Sequence, residues 1–233
     1  MASRPKIQPD PTFQRLLVNL VEVLEHYSFF GVLWLMKSMK MLFIGLLLVL
    51  AFLAGRRLLA SEKVPEPTFK SLAKLGGGVE VREYPTLVVA KTGLRSNSLG
   101  APANEGFRKV ARYLFGGNER SESMAMTAPV VMDMGKQPSL YFYMPFDRSE
   151  SDLPATRDRA ITLQTLPPRT LGVLRFGGYA SDKDLKRYGR RLKEILEQEG
   201  WQVEGPLLYM GYNAPWTLIG RRNEVAYQVR RSL

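Results

Sequence analysis

The stretch ITLQTLPPRTLGVLRFGGYASDKDLKRYGRRLKEILEQEGWQV, residues 161–203, decides the fold because it contains a whole strand–strand–helix–strand unit. Residues with strand propensity lie on both sides of Pro167 and Pro168, which predicts two strands joined at a sharp corner. Ser181 and the acidic residues after it are typical of a helix N-cap and first turn. Apolar residues then recur at helical spacing until Gly200, and a third strand follows.

A unit of the same kind precedes this stretch. Residues 79–84 and 87–90 predict two strands joined at Pro85, residues 104–115 predict a helix, and residues 124–134 predict a returning strand. Further strands are predicted over residues 141–146, 201–203, 207–212 and 224–230. The sequence therefore predicts an α+β domain in which two β-β-α-β units, with two main helices, form an antiparallel sheet system with pseudo-two-fold symmetry. Two halves that meet in this way form a groove or pocket, which is a common ligand site.

Composition narrows the classes of function without selecting one. The 233 residues suffice for one large domain or two small ones, and for a sizeable core. The absence of cysteine excludes disulfides, thiolate metal sites and cysteine nucleophiles. The net charge of +11 is spread along the chain and favours anionic partners such as carboxylate ligands or acidic lipid surfaces. Nucleic acid is not predicted as a partner, because the sequence has no zinc-finger spacing, RNP-type motif or lysine-rich tail.

The region between Met41 and Gly55 contains no charged or polar side chain. As a helix, its 15 residues would extend about 22 Å, against about 30 Å for the hydrocarbon core of a bilayer. The flanking Lys40 and Arg56 can reach toward the headgroups and so lengthen the span. We therefore expect residues 36–60 to form a membrane anchor or signal-like helix. A cleaved signal peptide and a buried helix of a soluble protein are the alternatives, although the candidate cleavage sites carry bulky residues.

The first 35 residues precede this apolar segment. From Pro11 onward apolar residues recur on one helical face, which predicts an amphipathic helix that could lie on a membrane surface. Alternatively, Met36 is the true start and residues 1–35 are an over-extended beginning, since the sequence after Met36 has the pattern of an export signal. His26, the single histidine, lies in this segment, and no ligand role is predicted for it. Residues 61–233, which open on a polar segment with two prolines, are assigned to one ligand-binding domain.

Five short segments resemble the signature sequences of the SOUL/haem-binding protein family. They are MTAPV at residues 126–130, RFGGYA at 175–180, YNAPW at 212–216, RRNEV at 221–225 and, as a weaker match, REYP at 82–85. The resemblance extends from Val64 to Arg231 and implies a distorted antiparallel β-barrel flanked by helices, as in small-molecule-sensing domains of the GyrI type. It also implies that haem or a similar tetrapyrrole is the ligand, bound without a dedicated catalytic apparatus. An anchor ahead of such a domain is similar to bacterial arrangements, which implies an inner-membrane protein with its domain in the periplasm.

The candidate ligand-binding residues come from these segments. The flat apolar macrocycle would lie against apolar and aromatic side chains, and its two propionates would pair with arginines, which present a bidentate fork to carboxylates. The predicted residues are Met126, Pro129, Phe176, Tyr212, Trp216, Arg221 and Arg222. Such binding would be weak and reversible, as in a carrier or buffer of a small amphipathic ligand.

The domain sequence offers few residue types that can act as axial ligands of a haem iron. Haem iron is usually held by His, Cys, Met or Tyr, and residues 61–233 contain neither His nor Cys. Met126 and Tyr212 are therefore the candidate axial ligands, and no firm metal ligand is predicted. The methionine-rich segment from Met124 to Met134 is expected to line one face of a strand, either as a wall for the ligand or as ordinary core.

Two alternatives to a non-catalytic carrier remain. A hydrolase of the GyrI-like type would use Glu224 together with Tyr212. A purely structural, membrane-attached module would need no ligand. The sequence contains no H-E-x-x-H, Walker or G-x-G-x-x-G pattern, and the domain has no histidine for a Ser-His-Asp set. Nothing in the sequence specifies an oligomeric state.

Overall fold

The structure, a computed structural model, describes residues 64–213, 217 and 220–232, together with residues 15–16, 19, 41 and 43–50. The chain divides into two compact units, Met1–Glu62 and Lys63–Leu233. In the first unit, residues 43–50 are helical. Within the described residues, no helix has both the length and the apolar character needed to cross a membrane. His26 and most of the predicted anchor, residues 36–60, lie outside the described residues.

The second unit is built on one antiparallel sheet, whose strands we number in chain order. They are β1 (Lys70–Lys74), β2 (Val79–Tyr84), β3 (Leu87–Gly93), β4 (Val130–Asp133), β5 (Ser139–Tyr143), β6 (Ile161–Leu166), β7 (Arg169–Gly177), β8 (Trp201–Gly211) and β9 (Arg222–Arg231). Two helices, α1 (Ala101–Leu114) and α2 (Asp182–Gln198), follow β3 and β7. Short 3-10 turns lie at Gly76–Gly78 and Glu150–Asp152.

The order of the strands shows the internal repeat. The sheet runs β1-β2-β7-β9-β8-β4-β5-β3-β6. Outward from the central β8–β4 pair, β9-β7-β2 on one side corresponds to β5-β3-β6 on the other. The first strand of each repeat pairs with the second strand of the other repeat, as in the pairing of Val79 with Leu174. This topology confirms an α+β fold and agrees with the predicted duplication.

Two tight corners bring the ends of the sheet together. β2 and β3 are separated by Pro85 and Thr86 alone, and β6 and β7 by Pro167 and Pro168 alone. Each corner nevertheless joins a strand near one end of the sheet to a strand near the other end. Because so short a connection cannot span a flat sheet, the sheet is curled into a partial barrel. Proline suits these corners since it has no N–H to donate to a ladder.

Alternation along the strands divides the core into an inner and an outer layer. Val173 and Tyr143 belong to a cluster inside the curled sheet, whereas their neighbours Leu174 and Phe142 contact the helices on the other face. α1 packs over β3 and β5, and α2 packs over β7, β8 and β9. Both helices therefore cover the outer face, and the inner face holds apolar and tyrosine side chains together with the buried Arg82 and Glu224.

Most predicted elements are confirmed, with two corrections. The strand predicted over residues 124–134 is wrong for its first half, because regular pairing begins only at Val130, after the buried Pro129. The two strands predicted at 201–203 and 207–212 form a single strand with a register shift between Glu204 and Leu208. α2 begins as predicted, with the backbone N–H of Asp184 donating to the Ser181 side chain.

Candidate ligand-binding groove

A groove lies on the outer face of the sheet, where α1, the central strands and the residues before β9 meet. We call it the α1 groove; its volume is about 260 Å³. Its lining residues are Leu99, Gly100, Ala103, Asn104, Phe107, Val130, Met132, Leu140, Tyr179, Ala180, Tyr209, Gly211, Asn213 and Arg221. Both repeats contribute to it, and the β4–β8 pair at the centre of the sheet forms its floor.

Arg221 gives the α1 groove its charge. Among the described residues that line the groove, it is the one charged side chain. Its guanidinium lies 4.4 Å from the ring centroid of Tyr179, and its Nη1 donates to the carbonyl of Thr217 at 3.0 Å. Tyr179 is 59% exposed and stands at the mouth of the groove. The groove thus combines apolar walls with one cation at its rim.

A chain of hydrogen bonds holds two walls of the α1 groove together. The Tyr209 hydroxyl donates to Asn223 Oδ1 at 2.8 Å, and Asn223 Nδ2 donates to the carbonyl of Gly178 at 2.7 Å. The chain thus ties the loop between β7 and α2 to strands β8 and β9. Burial raises the pKa of Tyr209, so its hydroxyl stays a protonated donor at neutral pH. The signature residues Gly178 and Asn223 therefore act as supports of the groove.

On the inner face of β9 lies a second group of polar residues, which we call the Glu224 cluster. It consists of Glu66, Arg82, Tyr212, Arg222 and Glu224. The fully buried Glu224 accepts from Arg82 Nη1 at 2.9 Å, from the Tyr212 hydroxyl at 2.7 Å and from Arg222 Nη2 at 2.9 Å. Arg222 also pairs with Glu66 at 2.9 Å and lies 3.6 Å from the ring centroid of Tyr212.

The protonation states of the Glu224 cluster oppose proton transfer. Burial by itself raises the pKa of Glu224, but the Arg82 charge and the hydrogen bonds from Arg82 and Tyr212 outweigh it and lower that pKa overall. Burial and the Glu224 carboxylate raise the pKa of Tyr212. At neutral pH the carboxylate is ionised and the phenol is protonated. Glu224 and Tyr212, the pair predicted for the hydrolase alternative, thus belong to a hydrogen-bonded ion network around the buried Glu224 carboxylate.

The tandem arginines do not meet in one cavity. Arg221, the residue before β9, lines the α1 groove, whereas Arg222, the first residue of β9, turns into the Glu224 cluster. The predicted pair of arginines for two propionates is therefore not assembled by this geometry. Tyr212 joins Arg222 in the cluster, and Trp216 lies outside the described residues.

The other predicted residues support the core. Phe176 is buried against α2 and stacks on Tyr188 with ring centroids 4.4 Å apart. Pro129 is buried, and Met126 packs against the α1 core. Of the seven predicted ligand-binding residues, Arg221 is the one that lines the α1 groove among those the structure describes.

The segment from Met124 to Met134, expected to line one face of a strand as a ligand wall or as ordinary core, does not place its methionines on one surface. Met124 and Met126 contact the α1 core, Met132 lies in the α1 groove, and Met134 packs against the α2 core. The segment divides because regular alternation begins only at Val130. Met132 is thus the one methionine of this segment that lines the groove.

Several lining residues were missed by sequence reasoning. Tyr179 and Asn213 lie inside the signature segments at 175–180 and 212–216, so the family pattern could have selected them. Ala103 and Phe107 are ordinary members of a helical apolar pattern. Their position at the groove depends on how α1 crosses the sheet, which a local pattern does not specify.

A larger cavity of about 470 Å³ lies on another part of the domain. We call it the Phe146 cavity; Pro65, Met124, Thr127 and Phe146 are among its lining residues. The Thr127 hydroxyl is already committed to the carbonyl of Tyr143 at 2.7 Å. Among the described residues, no group of three or more His, Cys, Asp or Glu is arranged to hold a metal ion.

The curled sheet has a repeated strand order, two helices on its outer face and a groove to which both repeats contribute. These features define a duplicated α+β domain. Within that class, the chain belongs to the SOUL heme-binding protein family, whose model matches residues 64–228.

The relatives agree with this assignment. Heme-binding protein 2 of Homo sapiens is 27% identical over 178 residues, covering 71% of this chain and 86% of that protein. Heme-binding protein 1 of Bos taurus is 30% identical over 136 residues, covering 53% and 71% respectively. The crystal structure of the EcmrR C-terminal domain is similar with a TM-score of 0.50 at 12% identity, covering 66% of this chain and 97% of that one. At this identity the structural likeness concerns the fold alone.

Proposed function

We propose that the domain binds haem or a similar tetrapyrrole reversibly in the α1 groove, as a non-catalytic carrier or buffer. Membership of the SOUL family and the names of the relatives support the class of ligand. The observation that carries the choice of site is Arg221, the one charged side chain among the described residues that line the groove. A flat apolar ligand with carboxylates matches that combination.

The side chains of the groove suit a macrocycle bound at one edge. Phe107, Met132 and Tyr179 present aromatic and polarisable surfaces to an apolar ring system. Arg221 pairs with a propionate as a charge-assisted donor. A volume of about 260 Å³ lies below the range of roughly 300–1,000 Å³ typical of ligand pockets, so part of the macrocycle stays in solvent. Partial enclosure favours weak and reversible binding.

Axial ligation contributes little to this binding. The candidate axial ligands Met126 and Tyr212 do not line the groove, and the Tyr212 hydroxyl is bonded to Glu224. Among the lining side chains, Met132 and Tyr179 could offer a sulfur or a phenol oxygen, while the Tyr209 hydroxyl is held by Asn223. Bound haem would supply a redox-active iron, and the chain's own residues would bind the ring and orient its carboxylates.

Titration of the full chain with haemin tests the site. Ala103→Phe fills the groove, so we expect loss of the saturable Soret shift of the wild type. Arg221→Gln removes one charge-assisted contact, and we expect roughly 10-fold to 150-fold weaker binding, since hydrogen bonds to charged groups contribute about 1.5–3 kcal/mol. Arg108→Gln changes an exposed cation of α1 outside the groove and serves as the charge-matched control. If Ala103→Phe binds haemin like the wild type and Phe146→Ala does not bind it, the site is the Phe146 cavity. If the wild type shows no saturable Soret shift, a structural module is favoured.

A second part of the proposal concerns attachment. We propose that residues 36–60 anchor the protein in a bacterial inner membrane with the domain in the periplasm. The support is the uncharged run from Met41 to Gly55 between basic flanks. Carbonate extraction of isolated membranes should leave the intact chain in the membrane pellet. In a separate experiment, protease added to spheroplasts should degrade the domain. Release by carbonate, or protection from the protease, would contradict the anchor or its orientation.

A further inference from the structure

One side of α2 carries four cations in a straight row. Lys183, Lys186, Arg190 and Lys193 are separated by three, four and three residues, which places them on one side of a helix. All four side chains are exposed. At about 1.5 Å per residue the row is about 15 Å long. We call these four residues the α2 row.

The charge of the α2 row is poorly neutralised. Among the described residues, Lys193 has an ion pair, to Glu197 at 3.7 Å, whereas Lys183, Lys186 and Arg190 have none. Over residues 183–193 the sequence has six basic residues and one acidic residue, a net charge of +5. That acidic residue, Asp184, pairs with Arg187 on the neighbouring side of the helix. The row is therefore a local concentration of positive charge.

A depression with an apolar floor adjoins the middle of the α2 row. Lys186 and Arg190 line it together with Gly189, Leu207 and Tyr227, and its volume is about 440 Å³. Gly189 brings the helix close to β8, since a Cβ there would lie 2.8 Å from Leu207 Cδ2. Burial and the charge of Glu197 raise the pKa of Tyr227, so its phenol is uncharged at neutral pH. Two cations thus stand beside an apolar and aromatic surface.

We propose that the α2 row and this depression bind anionic phospholipid headgroups at a membrane surface. Clustered cations bind an anionic leaflet through summed, weak attractions. Long Lys and Arg side chains can place their charges at the phosphates while Tyr227 and Leu207 meet the less polar region beneath. This surface lies apart from the α1 groove, and the proposal stands independently of haem binding and of the anchor at residues 36–60.

The charge pattern along α2 favours a flat anionic surface over nucleic acid. Recognition helices present their N-terminal residues to the DNA groove. Here that end carries Asp182 and Asp184, and Asp182 accepts hydrogen bonds from Ser98 and the backbone of Leu99. If the start of α2 entered a DNA groove, the phosphates on either side would lie near Asp182 and Asp184. A planar anionic surface, in contrast, can contact the exposed α2 row alone.

Vesicle binding of the full chain tests the proposal. Sedimentation would compare vesicles of phosphatidylcholine with vesicles that also contain phosphatidylglycerol. We expect Lys186→Gln/Arg190→Gln to weaken the binding to anionic vesicles roughly 30-fold, equivalent to about 2 kcal/mol for two cations. The control is Arg108→Gln/Arg112→Gln on α1, which removes two exposed cations from the repeat-related helix. We expect it to change the binding less than threefold.

The comparison isolates the α2 row because every variant keeps residues 1–62 unchanged. Equal losses in the two double variants would overturn the proposal, since they would indicate dependence on net charge alone. The proposal would also be overturned if the preference for anionic over neutral vesicles were the same in the wild type and in Lys186→Gln/Arg190→Gln. Tighter binding to a DNA duplex than to anionic vesicles, lost in the α2 variant, would reassign the surface to nucleic acid.

Discussion

The guanidinium of Arg82 and the carboxylate of Glu224 form a buried ion pair with 2.9 Å between Nη1 and Oε2. Arg82 lies on β2 of the first repeat and Glu224 on β9 of the second, and β7 separates the two strands in the sheet. The pair therefore connects the repeats across an intervening strand. Because Arg222 and Tyr212 also bind this carboxylate, one side chain satisfies three donors from different parts of the chain.

The first prediction follows from this dependence on a single carboxylate. Glu224→Gln leaves Arg82 and Arg222 facing a neutral group, and breaking a buried pair by removing one partner costs about 3–5 kcal/mol. We expect urea unfolding to show a loss of this size. Glu204→Gln, which removes the half-buried partner of the exposed Arg230, should cost less than about 1 kcal/mol. Unchanged stability in Glu224→Gln, together with loss of an esterase activity present in the wild type, would instead favour the hydrolase.

Glu224 also predicts a direction for the pH dependence of stability. The pKa of Glu224 is lowered below its ordinary value of 4.5 in the folded protein. At a pH between the folded and unfolded pKa values, the unfolded chain therefore binds more protons than the folded one. The resulting stabilisation is fully present above the unfolded value and disappears as the pH falls through the folded one. We expect the free energy of unfolding to fall below about pH 5 in the wild type, and less steeply in Glu224→Gln. Parallel curves for the two proteins would show that other carboxylates carry the dependence.

The neighbouring glycines of the 175–180 segment provide a third prediction. Gly178 has a φ of +82°, which side chains with a Cβ adopt only at a cost. A Cβ on Gly177 would meet its nearest heavy atom, the carbonyl oxygen of Arg221, at an ordinary 3.6 Å. We expect Gly178→Ala to lower the free energy of unfolding by about 1–2 kcal/mol and Gly177→Ala to change it by less than about 0.5 kcal/mol. Similar losses in both variants would contradict a role for the backbone conformation.

Elements set by local signals could be predicted from the sequence, and α2 is the clearest case. Ser181 caps it, apolar residues recur at helical spacing, and Gly200 follows its end with a φ of +74°. The repeat was also visible, since both halves show the same order of strands and helix. β1 was missed because Lys70–Lys74 is short and mostly exposed, and its pairing with β2 gives no strong alternation.

The candidate site was less predictable because it depends on which face each residue of a strand occupies. Arg221 and Arg222 are adjacent and chemically alike, yet the start of β9 at Arg222 directs them to opposite sides of the sheet. The partner of Glu224 is 142 residues away in the chain, and no local pattern indicates Arg82. Family segments indicated the right loops, but the groove itself arises where α1, packed over β3 and β5, borders the β4–β8 pair.

The last prediction concerns Asn223, which joins Tyr209 to the carbonyl of Gly178 behind the α1 groove. Asn223→Ala removes the hydrogen-bond partner of the part-buried Tyr209 hydroxyl and of the carbonyl of the exposed Gly178, and the unsatisfied hydroxyl costs about 1–3 kcal/mol. Because the loop carrying Tyr179 loses its tie to β9, we expect haemin to bind more weakly as well as a lower free energy of unfolding. Asn97→Ala removes an exposed amide that donates to the carbonyl of Met134 and should leave both quantities nearly unchanged. If Asn223→Ala lowers stability but leaves haemin affinity equal to that of Asn97→Ala, the hydrogen-bond chain supports the fold without shaping the groove.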